Sequence, residues 1–267
     1  MIKHILFPAD YSKATRNAAP LVAEMVRRTG AKLTVLHVLE MPDRRMTDWL
    51  AYLEMGNTGE LIRERRKEFE APLRAAFAGL AGVRFAFRHG DPASRILDAA
   101  RRGHVDLIMI PTNGLGVYRR LLIGSVCAKI LHDAECAVWT IAPHAVESKG
   151  GLLCAVDLSP DSARLAQAAR EIGEQLHLDV TLAHVAAATE SEDWALRRLE
   201  DLARTHKLTA APILSRGGVA ENVDALTDRT GASLLMIGRG HIAAPFGRLR
   251  TAAYAIIRDS KCPVISV

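Results

Sequence analysis

Ile5-Leu-Phe-Pro-Ala-Asp10-Tyr-Ser12 near the start of the chain returns as Leu152-Leu-Cys-Ala-Val-Asp157-Leu-Ser159, and this echo decides the fold. Both stretches run from a short apolar segment into Asp-x-Ser. Working outward, Leu33-Thr-Val-Leu-His37-Val38 recurs as Val180-Thr-Leu-Ala-His184-Val185 at the same offset. Asp106-Leu-Ile-Met-Ile110 then matches Ser233-Leu-Leu-Met-Ile237 at a shorter offset, so the second copy has lost about twenty residues between its second and third strands. Cys136-Ala-Val138 against Cys262-Pro-Val264 places one further deletion in the loop after the fourth strand, near Gly238.

Within each copy, β-branched and apolar runs alternate with amphipathic stretches, the pattern of βαβ units that lay down a parallel sheet. The expected strands of the first copy are 2–7, 32–38, 83–88, 105–110 and 137–141. Helices are expected over 13–29, 47–79, 93–102 and 125–133, the second interrupted around Gly56 to Gly59. The second copy is expected to place strands at 151–156, 179–185, 211–215, 233–237 and 263–267, with its shortened second helix over 191–206. Two domains follow, 1–145 and 150–267, joined by the short stretch Pro143 to Gly151, which favours close packing of the pair.

Composition bounds the function. At 267 residues, 49% hydrophobic and 24% charged, the chain has material for two ordinary cores. Its apolar runs are too short for a membrane-spanning helix, so neither anchor nor signal peptide is expected. Cys127, Cys136, Cys154 and Cys262 are scattered without a CxxC pair, which speaks against a disulfide framework or zinc knuckle and fits a reducing cytoplasm. The net charge of +5 comes with no nucleic-acid reading motif, and the basic run Arg63 to Lys67 is interleaved with glutamates, so nucleic acid is not expected as a partner.

Ligands of open parallel sheets sit beyond the carboxyl ends of the strands, where strand order reverses. After the first strand, Asp10 either accepts hydrogen bonds from a ligand or serves as a turn residue, with Ser12 capping the next helix. After the fourth strand, Gly114 and Gly116 precede Gly124-Ser125, where a helix opens. Glycines and free helix-start N–H groups suit a bulky anion; the alternative is a plain turn and an ordinary N-cap at Ser125. His37 and His184, at equivalent strand ends, read as packed structural residues. No GxxxxGK[ST], GxGxxG after a first strand, HExxH or GxSxG occurs, which disfavours P-loop, dinucleotide, zinc-protease and hydrolase-elbow chemistry.

Gly114-x9-Gly124-Ser125, followed by Val126 and Cys136-Ala-Val138, resembles the G-x2-G-x9-G-[ST] signature of universal stress proteins, and the resemblance runs through both copies. It implies two tandem doubly wound α/β domains, Rossmann-like, each with a five-stranded parallel sheet of order 3-2-1-4-5. It also implies fifth-strand edges that meet in an intramolecular pseudo-dimer, and it leaves room for a homodimer. The implied ligand is ATP, with or without Mg2+, or a related adenine nucleotide. The matching positions are Asp10 and Val38 at the adenine and ribose and Gly114, Gly124, Ser125 and Val126 around the phosphates, with Pro8 and Ile110 as further binding positions. In the second copy they are Asp157, Val185, Gly238, Gly240 and Thr251.

Two departures matter. Pro111 replaces the first glycine and has no N–H to donate, and Arg250 stands at the position matching Gly124. The expectation is therefore a stress-response regulatory protein that binds nucleotide mainly in its first domain. The alternatives are a nucleotide-free tandem scaffold and a slow ATP hydrolase, the last opposed by the lack of an evident general base.

Overall fold

The computed structural model describes residues 1–10, 12–39, 67, 70–112, 123–141, 150–239 and 251–267. The first half lays down β1 (His4–Pro8), α1 (Lys13–Thr29), β2 (Lys32–Leu39), β3 (Val83–His89), α2 (Pro92–Arg102), β4 (Leu107–Pro111), α3 (Ser125–Asp133) and β5 (Ala137–Ile141). The second lays down β6 (Leu152–Ala155), α4 (Ser162–Leu176), β7 (Val180–Ala186), α5 (Glu192–Thr205), β8 (Ile213–Arg216), α6 (Val219–Thr230), β9 (Leu234–Ile237), α7 (Thr251–Asp259) and β10 (Val264–Ser266). Most of the helix expected over 47–79, with its break near Gly56, and most of the connection from Pro143 to Gly151 lie outside the described residues.

Each half is a parallel sheet in the expected 3-2-1-4-5 order, and the two are fused into one ten-stranded sheet, β3-β2-β1-β4-β5-β10-β9-β6-β7-β8. The join is its one antiparallel ladder among the described strands: Val264, Ile265 and Ser266 of β10 stand opposite Thr140, Trp139 and Val138 of β5. Side-chain bonds reinforce it, the Thr140 hydroxyl donating to the Val264 carbonyl at 3.2 Å and the Ser266 hydroxyl to the Val138 carbonyl at 3.3 Å. Register also locates the deletion. Phe87 stands opposite His37 and Leu214 opposite His184, so β3 and β8 already carry the shorter offset and the missing residues precede them.

Alternation along each strand feeds two cores, one per face of the sheet, and both run through the join. Ile5, Phe7, Leu107, Met109 and Trp139 face the side covered by α1 and α4, in company with Leu152, Cys154, Met236 and Ile265. Leu6, Ile108, Ile110 and Val138 face the side of α2, α3, α6 and α7, in company with Leu153, Leu235 and Val264. Contact between the halves extends to α4, where the Gln175 side chain accepts from the Ile2 N–H at 2.8 Å and donates to the Ile2 carbonyl at 2.9 Å.

Local signals fix the element starts. The Ser12 hydroxyl caps α1 by accepting from the Thr15 N–H at 3.1 Å, and Gly30 closes that helix at φ 65°. Gly90 and Gly217, the turns after β3 and β8, have φ of 120° and 122°, a backbone region that side chains rarely adopt. β1 and β4 each run one residue past the expected end, closing on Pro8 and Pro111, where a missing N–H at the last position costs the ladder little.

Candidate functional site

β1 lies between β2 and β4, so the order of strands reverses at its carboxyl end, and β6 occupies the same place between β7 and β9. Pro8, Val38 and Ile110 stand at the carboxyl ends of these three adjacent strands in the first half, with Asp10 just beyond β1. Val185 and Ile237 occupy the matching ends in the second, with Gly238 just beyond β9 and Asp157 just beyond β6.

Asp10 is a turn residue. Its Oδ1 accepts from the Ser12 N–H at 2.9 Å and from the Thr15 hydroxyl at 2.6 Å. Asp157 repeats the arrangement, accepting from the Ser159 N–H at 3.1 Å and the Ser162 hydroxyl at 3.2 Å. The two functions weighed for Asp10 are thus compatible: the turn fixes the carboxylate through one oxygen while Asp10 stays half-buried and Asp157 exposed at the mouth of the crevice.

The paired histidines lie directly beneath. Nδ1 of His37 is 2.8 Å from the Ala9 carbonyl and Nδ1 of His184 is 2.8 Å from the Val156 carbonyl. A carbonyl only accepts, so in each ring Nδ1 carries a proton. Burial pushes the His37 imidazole below its ordinary value, against the opposing pull of the Ala9 carbonyl and the Asp10 charge. His184 also meets Glu190, whose carboxylate oxygens are 3.1 and 3.2 Å from Nε2. Burial works to raise the Glu190 carboxyl. The hydrogen bonds from His184 and the Ala187 N–H, with the charges of His184 and Arg216, outweigh it and hold the group below the usual carboxylate range.

At the start of α3 the N-cap is Gly124, with φ −60°, ψ 150° and no side-chain cap; Ser125 is the first helical residue and exposed, so the helix opens where expected and the alternative of a serine N-cap is not realised. A carboxamide or hydroxyl side chain here would have taken up a first-turn N–H, and glycine leaves those donors to another acceptor. Gly124 is not in the left-handed region. A Cβ added to it would meet, among the described residues, only the Thr112 carbonyl at 3.5 Å, an ordinary contact. Val126 follows, half-buried, on the first turn. Gly114 and Gly240 lie outside the described residues, as does Arg250; Thr251 opens α7, and its side chain is not described.

The second half holds a cavity of about 580 Å³ at the ends of its strands. Asp157, Val185, Gly238 and His184 line it together with Ala252 and Ala253 from the first turn of α7. Sequence reasoning missed several lining residues, Arg239 and Glu135 among them. Arg239 is signalled by its place between two glycines. Glu135 has no signal, because it belongs to the first half and reaches this cavity only through the join.

The cysteines carry no such geometry. Burial raises all four thiols, that of Cys127 up to about 12, which keeps them protonated and poor nucleophiles. Among the described residues no three His, Cys, Asp or Glu side chains gather as a metal site, and no helix is long and apolar enough to cross a membrane.

Comparison with known proteins agrees with this architecture. The sequence model of the universal stress protein family matches residues 1–142. A universal stress protein encoded beside a QAH/OAS sulfhydrylase in Thermus aquaticus is 34% identical over 142 residues, 52% of this chain and 97% of that protein. Among solved structures, a universal stress protein from Archaeoglobus fulgidus superposes with a TM-score of 0.72 at 20% identity, covering 98% of this chain and 95% of its own. A putative universal stress protein from Pseudomonas aeruginosa gives 0.64 at 16% identity, covering 100% and 93%.

Proposed function

The chain belongs to the universal stress protein family, and from that premise we propose that it is a stress-response regulator that binds ATP or a related adenine nucleotide at the strand-order reversal of its first half. Asp10 and Val38 receive the adenine and ribose, and Gly114, Gly124, Ser125 and Val126 surround the phosphates. Any Mg2+ arrives on the phosphates. The domain boundaries that go with this reading are 1–145 and 150–267.

The observation that carries it is the opening of α3. Neither backbone conformation nor packing among the described residues requires glycine at position 124. What glycine provides there is open access to helix-start N–H groups, whose partial positive charge suits a phosphate.

One observation favours a second occupied site. The cavity at Asp157, Val185 and Gly238 falls within the ~300–1,000 Å³ typical of small-ligand sites. It is the second half's counterpart of the proposed site, to which Gly240 and Thr251 are assigned by the sequence match alone.

Thermal unfolding with and without ATP tests the reading. A ligand that binds only the folded state adds about 2.7 kcal/mol at one hundred times its Kd. Gly124→Arg should remove the first-half part of that gain and Asp157→Ala the second-half part. An ATP-independent Tm in the wild-type chain would leave a nucleotide-free scaffold as the better description.

A further inference from the structure

Arg239 occupies the place in the second half that Thr112 holds in the first, in the loop leaving β9. Its side chain is 4% exposed, and its guanidinium reaches into the other half, donating to the Leu131 carbonyl at 3.3 Å and to the Cys136 carbonyl at 2.6 Å. Leu131 belongs to the last turn of α3, where carbonyls have no partner farther along the helix. A second-half residue therefore caps the C-terminus of a first-half helix and places a cation at the negative end of its dipole.

The same Arg239 lines the second-half cavity, and beside it is Glu135, from the turn that joins α3 to β5. The cavity wall is built by both halves. At the other end of α3, Gly124 donates its N–H to the Thr112 carbonyl at 2.9 Å and accepts from the Ala128 N–H at 2.8 Å. Nine residues make a rod of about 13 Å with one end at the candidate phosphate cradle and the other held by Arg239. Threonine at the equivalent position is too short to span the join as a guanidinium does, so the repeat does not supply this link in reverse.

We propose that Arg239 is a positioning residue that couples the second-half cavity to the Gly124–Ser125 cradle through α3. A ligand that displaces or tightens the Arg239 guanidinium alters the anchorage of α3 at Leu131, and the rigid helix carries that change to its first turn. The ligand-dependent part of this coupling rests on the nucleotide reading above; the anchorage itself does not.

Hydrogen exchange on the full chain, without ligand, tests the anchorage. Arg239→Met should speed exchange of the Ala128 amide on the order of tenfold while the Leu6 and Val35 amides keep wild-type protection. Arg239→Lys, which retains one donor and the charge, should restore part of the difference. Unchanged exchange at Ala128, or an equal rise at Leu6 and Val35, overturns the proposal.

The ligand arm uses ATP on the Gly124→Arg chain, whose first cradle is closed. ATP should protect amides around Asp157 and change exchange from Leu131 to Cys136, and the second effect should vanish when Arg239→Met is added. Protection around Asp157 without change at Leu131–Cys136 overturns the coupling. Failure of ATP to protect the wild-type chain anywhere counts against the nucleotide reading, and the ligand-free comparison still decides the anchorage.

Discussion

Replacing Ile265 by alanine probes the join between the halves. Ile265 is 0% exposed, stands opposite Trp139 of the first half on one side and Met236 of the second on the other, and belongs to the core beneath α1 and α4. Removing three carbons from a site closed on both sides loses their transfer free energy and leaves a void that the three-residue β10 has little freedom to fill. The expected loss is about 2–5 kcal/mol, against about 0.5–1.5 for Ile265→Val. For a chain of this size the alanine variant should melt roughly 5–15 °C lower. Because the residue packs on both halves, calorimetry should show one transition that moves as a whole. A shift under about 2 °C, or two transitions of which only one moves, would refute the reasoning that the halves share a core.

Gly151→Ala tests a close approach: the added Cβ would lie 2.3 Å from the Asp179 carbonyl oxygen, the acceptor for the Leu152 N–H at the start of β6. It should cost about 1–3 kcal/mol in urea unfolding, and an unchanged midpoint would show that the β6 backbone yields freely. Acid sensitivity follows from His37, whose lowered value means the unfolded chain binds the proton that the folded chain refuses. That contribution is complete above the ordinary imidazole value of 6.5 and is lost as pH falls from there toward the depressed folded value; pH-dependent urea melts should flatten over this window in His37→Gln.

The fold was largely legible because the information is repeated. An apolar strand running into Asp-x-Ser occurs twice with its neighbours in step, and parallel strands buried on both faces read as continuous apolar runs that periodicity detects. The join was legible only as an implication of family resemblance, since three residues of β10 carry no mark of pairing with β5 in antiparallel sense. In the candidate site, Asp10, Val38, Asp157 and Val185 could be placed because strand ends are easy to locate. Arg239 and Glu135 escaped notice for a physical reason. Their partners are more than a hundred residues away in sequence or in the other half, and local pattern holds no information about such contacts. The start of α3 at Ser125 was legible, but its cap was not, because Gly-Ser gives two acceptable N-cap residues in a row and backbone dihedrals choose between them.

Joining both copies in one polypeptide changes what evolution can do with their shared seam. When two identical subunits meet about a twofold axis, every contact is made twice, and a residue that suits one side must suit the other. A covalent tie lifts that restriction and also holds the partners at a high effective concentration, so the pairing does not weaken on dilution. The arginine clamp on α3, made once and in one direction, is a contact of the kind that such release from symmetry permits.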